Sequence, residues 1–340
     1  MSEEKKTPND FEGYALLVGN GLGLSHPGPA MSRLFKFDQV GVKKVLKKDV
    51  LQNFLYEGFN DPEEMMQYMR IELAIAILKS YINNTDVSLG GLNNFLNLFK
   101  SIYNLNYDLI TYKAAFDIDK NKSLKFNDGF LHNPIDMPPD RIELNLAKIC
   151  SNFDESNRSL YYLHGFFPFF FTKKKDEYVK LKAYSDTSYN GFEQSYISLT
   201  QNCMTYYDRV LTYYRKNRDY EYNPIIVLES KSRYKEAIIN DIPLLKFYMN
   251  KFKQEKKVLT FGCSFKNDDH LIEALFSGKA EEIYFGYYSP EDKKNIEKAI
   301  ERVREKVSNE SSQYNSKEGR YKLIPVSDWN IWDRSHQTPA

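Results

Sequence analysis

The stretch YALLVGNGLGLS, residues 14–25, predicts a buried strand, a glycine-rich turn and the start of a helix. The apolar run from Ala15 to Val18 is short and stops at a glycine, as a buried strand does. Gly19 and Gly21 allow backbone amides to approach a phosphate, and a following helix N-terminus favours negative charge. The stretch departs from G-x-G-x-x-G and lacks the lysine of a GxxxxGK[ST] loop. A tight turn that needs positive φ is the alternative explanation for these glycines.

Alternating strand and helix patterns follow this turn along the chain. We predict further strands within 97–116, 159–171, 224–230, 258–265 and 282–288, and helices over 62–82, 190–218, 240–253, 268–276 and 290–307. This alternation is typical of a parallel sheet with crossover helices. We therefore expect an α/β fold with a Rossmann-like parallel sheet and a helical insertion over 28–96. The expected organisation is one domain over 12–333, with a flexible leader at 1–11 and a tail at 334–340.

Composition narrows the class of protein. The 340 residues include 47 Lys+Arg and 46 Asp+Glu, and such a balance argues against a protein that mainly coats nucleic acid. No apolar run reaches the roughly 18–20 residues of a membrane span, and the first ten residues are too polar for a signal peptide. Three cysteines, Cys150, Cys203 and Cys263, are too few for a disulfide framework, and they include no CxxC pair, so we expect no zinc ribbon. We expect a cytoplasmic protein.

A polar turn follows the strand that is predicted within 97–116 and runs into Asn106. Asn106-Tyr107-Asp108 would lie beside the glycine turn, because loops at the carboxyl ends of parallel strands converge on one crevice. Asn106 can orient a hydroxyl or a water without titrating, and Asp108 can bind a ribose. The alternative for Asp108 is a helix N-cap, which is the commoner role.

A third turn, Leu163-His164-Gly165, ends the next predicted strand. Histidine accepts a proton near neutral pH, and the neighbouring glycine permits close approach of a ligand. A lone histidine beside an apolar strand is more often structural, so both roles stay open.

A fourth turn, Gly262-Cys263-Ser264, follows the strand predicted at 258 and leads into Asp268-Asp269-His270. The turn could hold a ribose or a phosphate, and the two aspartates suit the first turn of a helix. Asp269 and His270 are adjacent and do not share a helix face, so we expect no metal site from this pair. Cys263 is either a reactive thiol or, more commonly, a small buried side chain.

The segment 117–128, DIDKNKSLKFND, imitates a calcium loop. Five side chains fall at loop positions 1, 3, 5, 7 and 12: Asp117, Asp119, Asn121, Ser123 and Asp128. Lys122 replaces the glycine that makes the sharp turn, and the closing residue is Asp instead of Glu. A plain solvated loop is the favoured interpretation.

Taken in order, these turns resemble the sirtuin-like fold, and most closely the bacterial sirtuin-like proteins of anti-phage defence and abortive infection. The resemblance is carried by G-N-G-L-G at 19–23, N-Y-D at 106–108, D-G-F at 128–130, L-H-G at 163–165 and G-C-S at 262–264. It covers most of the chain. It implies a nicotinamide-dinucleotide pocket at the carboxyl ends of the strands.

The resemblance also implies roles for single residues. Asn106 would orient the attacking water or ribose hydroxyl at C1 of the nicotinamide ribose. His164 would contact the ribose hydroxyls as a base or an orienting partner, and Asp108 would hold the Asn106 turn or bind the ribose. The cofactor-binding residues implied in this way are Gly19, Asn20, Gly21 and Ser25 at the pyrophosphate, and Gly262 and Ser264 at the adenosine ribose.

Two departures from protein-deacetylating sirtuins are informative. The paired zinc cysteines are missing, and His26-Pro27-Gly28-Pro29 replaces the G-I-P-D-F-R element, with Arg33 as the nearest arginine. These departures favour an enzyme that hydrolyses NAD itself, without a metal, and releases nicotinamide and ADP-ribose or cyclic ADP-ribose.

NAD depletion must be restrained until it is needed, so the resemblance implies control through a homo-oligomer or a regulatory partner protein. The alternatives are a nucleotide-binding sensor of the same fold that does not cleave its ligand, and a less favoured ADP-ribosyl or acyl-lysine transfer enzyme.

Overall fold

A parallel β-sheet forms the centre of the fold in the computed structural model. The structure describes residues 6–19, 21–24, 90–106, 110–116, 126–127, 158–172, 178–180, 207, 222–227, 231–308 and 321–331. The strands are β1 Ala15–Val18, β2 Ser101–Asn104, β3 Phe126–Asn127, β4 Arg158–Tyr162, β5 Gly165–Thr172, β6 Tyr178–Lys180, β7 Tyr222–Ile226, β8 Lys257–Phe261, β9 Glu282–Tyr287 and β10 Tyr321–Pro325. The helices are α1 Gly21–Leu24, α2 Gly90–Leu96, α3 Ile110–Phe116, α4 Ser232–Asp241, α5 Pro243–Lys253, α6 Asp269–Ser277 and α7 Pro290–Ser308.

Seven strands build the main sheet in the order β10-β9-β8-β1-β2-β4-β3, and every neighbouring pair is parallel. All four residues of β1 are buried, as expected of a strand covered on both faces. The structure confirms the expected α/β fold with a Rossmann-like parallel sheet.

The order in which the chain adds strands to the sheet reverses at β1. Val18, the last residue of β1, pairs with Asn104 of β2 on one side and with Phe261 of β8 on the other. The chain first builds the sheet on the β2 side and later returns to add β8, β9 and β10 on the opposite side. Ligands of open α/β sheets bind outside the carboxyl ends of the strands at such a reversal. The turns after β1, β2, β4 and β8 therefore mark the place for a site.

A second, antiparallel sheet of three strands, in the order β6-β5-β7, corrects two sequence predictions. The run 159–171 is two strands, because β4 ends at Tyr162 and β5 starts at Gly165 in the other sheet. The strand predicted within 224–230 is β7, which pairs with β5 and not with the parallel sheet. An apolar run shows that a strand is buried, but it does not show which sheet the strand joins.

The helices of the second half agree with the sequence more closely. Helix α6 matches the prediction for 268–276, and α7 begins at Pro290 as expected. The helix predicted over 240–253 is α5, and it follows α4 after a break at Ile242, whose backbone is extended before Pro243. Strand β10 was not among the predicted strands.

Part of the predicted leader packs against the domain. Pro8–Phe11 form a 3-10 helix, and Phe11 is buried with its ring 5.0 Å from that of Tyr284. The indole N–H of Trp329 donates to the carbonyl of Lys6 at 3.0 Å. These contacts differ from the flexible leader expected over residues 1–11, because Phe11 supplies an apolar anchor.

Several predictions fall outside the described residues: the helical insertion up to residue 89, the helix at 190–218 apart from Tyr207, nearly all of the calcium-loop segment, the D-G-F element and the tail. Within the described parts of the chain, no helix is both long and apolar enough to cross a membrane.

The turns after β1 and β8 touch backbone to backbone. The N–H of Gly21 donates to the carbonyl of Gly262 at 2.8 Å, and the N–H of Gly19 donates to the carbonyl of Phe261 at 2.9 Å. A Cβ on Gly21 would lie 2.6 Å from Cα of Gly262. Among these three glycines only Gly262 has positive φ, at 68°. Close approach, and not positive φ, explains the glycines of the first turn.

We predict that Gly262→Ala costs about 3 kcal/mol of unfolding free energy, about 1 from its positive φ and about 2 from overpacking against the turn after β1. A Cβ there would lie 2.4 Å from the backbone nitrogen of Leu22. Gly13→Ala is the matched control, because Gly13 also has positive φ but has open space around it. Chemical denaturation measures both variants, and equal losses would contradict the contact.

Candidate functional site

Backbone N–H groups of the glycine turn after β1 donate hydrogen bonds to carbonyls of the protein itself. Besides the bonds of Gly19 and Gly21 to the β8 turn, the N–H of Leu22 donates to the carbonyl of Gly19 at 3.0 Å. These three donors hold the turn in place, so direct pyrophosphate contacts would have to come from other amides of the turn. Asn20 and Ser25, the other predicted pyrophosphate residues, lie outside the described residues.

Asn106 is held rigidly at the carboxyl end of β2. Its side chain is buried, its Nδ2 donates to the carbonyl of Gly19 at 3.2 Å, and its backbone N–H donates to Oδ1 of Asn104 at 2.9 Å. A carbonyl only accepts, so Nδ2 must face Gly19 and Oδ1 must face away. Oδ1 is buried and has no partner among the described residues. The bond from Nδ2 thus connects the turn that contains Asn106 to the glycine turn after β1, and Oδ1 remains as a fixed hydrogen-bond acceptor. Asp108 lies outside the described residues.

His164 follows β4 at the same edge of the sheet. The N–H of Leu163 donates to the carbonyl of Asn104, which places the L-H-G turn beside the end of β2. Gly165 has positive φ, and a Cβ there would lie 1.9 Å from the carbonyl oxygen of Ile225. A glycine is therefore needed here because the backbone of β7 approaches closely. The sequence instead predicted close approach of a ligand.

The imidazole of His164 belongs to a cluster in which His164, His270 and Lys235 are buried and Asp268 and Ser232 are partly buried. Nε2 of His164 lies 3.5 Å from Nε2 of His270 and 3.7 Å from Oδ1 of Asp268. The ammonium of Lys235 is fully buried and donates to the same Oδ1 at 2.8 Å. Oγ of Ser232 accepts the backbone N–H of His270 at 2.8 Å and lies 2.9 Å from its Nδ1.

Burial and neighbouring charges set the protonation of this cluster. Burial lowers the pKa of His164 to about 3, and Asp268 only partly opposes this effect while Lys235 adds to it. Burial likewise lowers the pKa of His270 to about 4. For Asp268, burial disfavours the carboxylate, but His164 and Lys235 favour it, and its pKa is lowered. Both imidazoles are therefore neutral at pH 7, and the cluster holds one buried carboxylate–ammonium pair.

The turn after β8 contributes different features from those expected. Gly262 serves the contact with the first turn, and Ser264 is exposed. Burial raises the pKa of the Cys263 thiol, which is the behaviour of an inert core cysteine and not of a reactive one. Asp269 pairs with Arg302 at 2.7 Å, away from His270. Asp268 and His270 instead reach His164, which the sequence places about a hundred residues earlier.

Sequence reasoning missed Lys235 and Ser232. Lys235 and Ile239 are four residues apart, and both are buried on the same face of α4. A lysine at a helical spacing from an apolar residue could therefore have indicated a buried charge. Ser232 gives no comparable signal, because its partner His270 lies on another helix.

The chain matches no family model and no curated protein.

We predict that Lys235→Met lowers the unfolding free energy by about 3–5 kcal/mol, because it leaves the Asp268 carboxylate buried without its cation. Lys246→Met, on the exposed side of α5, is the matched control and should change the free energy of unfolding by less than about 0.5 kcal/mol. Denaturant titration of the purified variants measures both values. A loss no larger than that of the control would show that the pair contributes nothing to stability.

Proposed function

We propose that the protein is a sirtuin-like NAD hydrolase that cleaves the bond between nicotinamide and ribose, with bacterial anti-phage defence by NAD depletion as its role. The observation that carries the proposal is the fixed and buried Oδ1 of Asn106 at the carboxyl end of β2, which has no hydrogen-bond partner among the described residues. It stands next to the strand-order reversal of a Rossmann-like sheet, where dinucleotides bind in folds of this class. The order of the turns in the sequence supports the same assignment.

Asn106 suits the task of orienting an oxygen nucleophile. Its Oδ1 can accept a hydrogen bond from a water or a ribose hydroxyl, and the bond from Nδ2 to Gly19 prevents the amide from turning away. An amide does not titrate, so this orientation persists across pH. The attacking oxygen is then held at one point, which lowers the entropic cost of reaching the transition state.

His164 fits an orienting role better than that of a base. A histidine whose pKa is lowered to about 3 is neutral at pH 7 and takes a proton only weakly. A neutral imidazole still offers one donor and one acceptor to ribose hydroxyls. This property favours the second of the two roles that the sequence left open for His164.

The reaction needs no oxidant and no further co-reactant. The bond from C1 of the ribose to the nicotinamide nitrogen breaks, its electron pair stays on that nitrogen, and the pyridinium becomes neutral nicotinamide. An oxygen of water forms the new bond to C1, and its proton is released to solvent water. The products are nicotinamide, ADP-ribose and a proton; attack by an adenine nitrogen in place of water would give cyclic ADP-ribose.

We predict that Asn106→Ala and His164→Ala each reduce nicotinamide release at least about 100-fold, as expected when a positioned group is lost. Chromatography of NAD incubated with purified protein, with a chelator present, measures the release. Asn94→Ala, on an exposed position of α2, is the matched control for the asparagine and should keep full activity. Circular dichroism confirms that each variant is folded.

The outcomes separate the two functions considered. Full activity in both variants would overturn the assignment of the site. Tight binding of NAD or ADP-ribose by the wild-type protein without any release, under every activating condition tried, would instead support a nucleotide sensor of the same fold.

A further inference from the structure

His164, His270 and Asp268 bring two imidazole nitrogens and a carboxylate oxygen together in the interior. One donor atom from each residue lies within 4.8 Å of the others, and the two Nε2 atoms are 3.5 Å apart. We propose that these three side chains form a binding site for a transition-metal ion with the preferences of Zn²⁺. The donor set, two histidines and a carboxylate, is one that zinc uses in proteins.

The distances suit a small ion. With Zn–N bonds of about 2.05 Å, nitrogens 3.5 Å apart subtend about 117° at the metal, close to the tetrahedral angle. The 3.7 Å between His164 Nε2 and Asp268 Oδ1 corresponds to about 130°. The remaining pair lies within 4.8 Å, so a shift of the carboxylate by less than about 1 Å brings all three donors to bonding distance. Three protein ligands leave a fourth position for water.

Ser232 supplies the support that a metal-binding histidine usually has. Metal ligands of this type commonly donate their other ring N–H to an oxygen, which fixes the ring and its tautomer. Nδ1 of His270 lies 2.9 Å from Oγ of Ser232, and the same oxygen accepts the backbone N–H of His270. With Nδ1–H donating to Ser232, Nε2 carries the lone pair, and this atom is the one that faces His164.

Lys235 supports and limits the site at once. Its ammonium fixes the Asp268 carboxylate at 2.8 Å, as a neighbour of a metal-binding carboxylate does. The same ammonium repels a divalent cation, so the metal competes with Lys235 for the charge of Asp268. Because of this competition, we expect reversible binding that depends on the metal concentration, in contrast to the permanent binding of a structural metal site.

Metal binding would also regulate the proposed reaction, and this consequence rests on the proposed function. A bound ion takes Nε2 of His164 and fixes the ring, so that His164 can no longer orient the ribose. Zn²⁺ should then inhibit nicotinamide release, and a chelator should restore it.

The test is a titration of chelator-treated full-length protein with ZnCl₂ against a chromophoric chelator. We expect one equivalent bound by the wild type and by Asn106→Ala, and binding at least about 10-fold weaker in His270→Asn. His336→Asn, a histidine of the tail, is the matched control and should bind as the wild type does. No binding by the wild type, or equal binding by His270→Asn, would overturn the site.

Co²⁺ in place of Zn²⁺ gives a readout on the wild type alone, which keeps the test valid if His270→Asn does not fold. We expect the visible absorption of tetrahedral Co²⁺ without a sulfur-to-metal charge-transfer band, because no cysteine belongs to the proposed ligand set. A strong charge-transfer band would place the metal on a cysteine and overturn the site. Zn²⁺ binding to Asn106→Ala tests the metal site in a variant expected to lack activity. Nicotinamide release in the presence of a chelator tests the hydrolase in the absence of metal, so the two proposals can fail separately.

Discussion

The backbone contact between the turns after β1 and β8 is the constraint on which the rest of the site depends. The bond from Gly21 N–H to the Gly262 carbonyl joins the turns after two strands that the sequence separates by about 240 residues. It closes the switch point of the sheet, where a side chain on either glycine would push the turns apart. Asn106 Nδ2 donates to the carbonyl of Gly19 in the first of these turns. The position of the candidate acceptor, Asn106 Oδ1, therefore depends on the contact between the two turns.

The buried cluster around His164 has a different physical basis. Lys235 and Asp268 are stable in the interior only as a pair, and two neutral histidines pack beside them. Four elements meet there: the L-H-G turn, helix α4, the loop after β8 and helix α6. The cluster connects the carboxyl end of β4 to α4 and α6, and its imidazole nitrogens and carboxylate are potential metal ligands, which the glycine turns do not offer.

The sequence predicts the sheet strands better than their pairing. Short buried apolar runs identify β1, β2, β8 and β9, and a glycine directly after the run marks the end of β1 and of β8, because period and composition are local signals. The same signal cannot separate β4 from β5 or assign β7 to an antiparallel sheet, since sheet membership depends on distant partners. Asn106, His164 and Gly262 are visible as turn residues. Their neighbours Lys235 and Ser232 are not, and the approach of Asp268 and His270 to His164 is not either, because side chains from separate elements meet only after folding.

A crystal structure of the wild-type protein with ADP-ribose would show whether the carboxyl edge of β1 binds a dinucleotide. We expect the diphosphate beside the turns after β1 and β8, and the ribose that carried nicotinamide within hydrogen-bond distance of Asn106 Oδ1. That result would establish the carboxyl edge of β1 as a dinucleotide site. Binding of ADP-ribose elsewhere on the chain, or no binding at millimolar concentration, would contradict it.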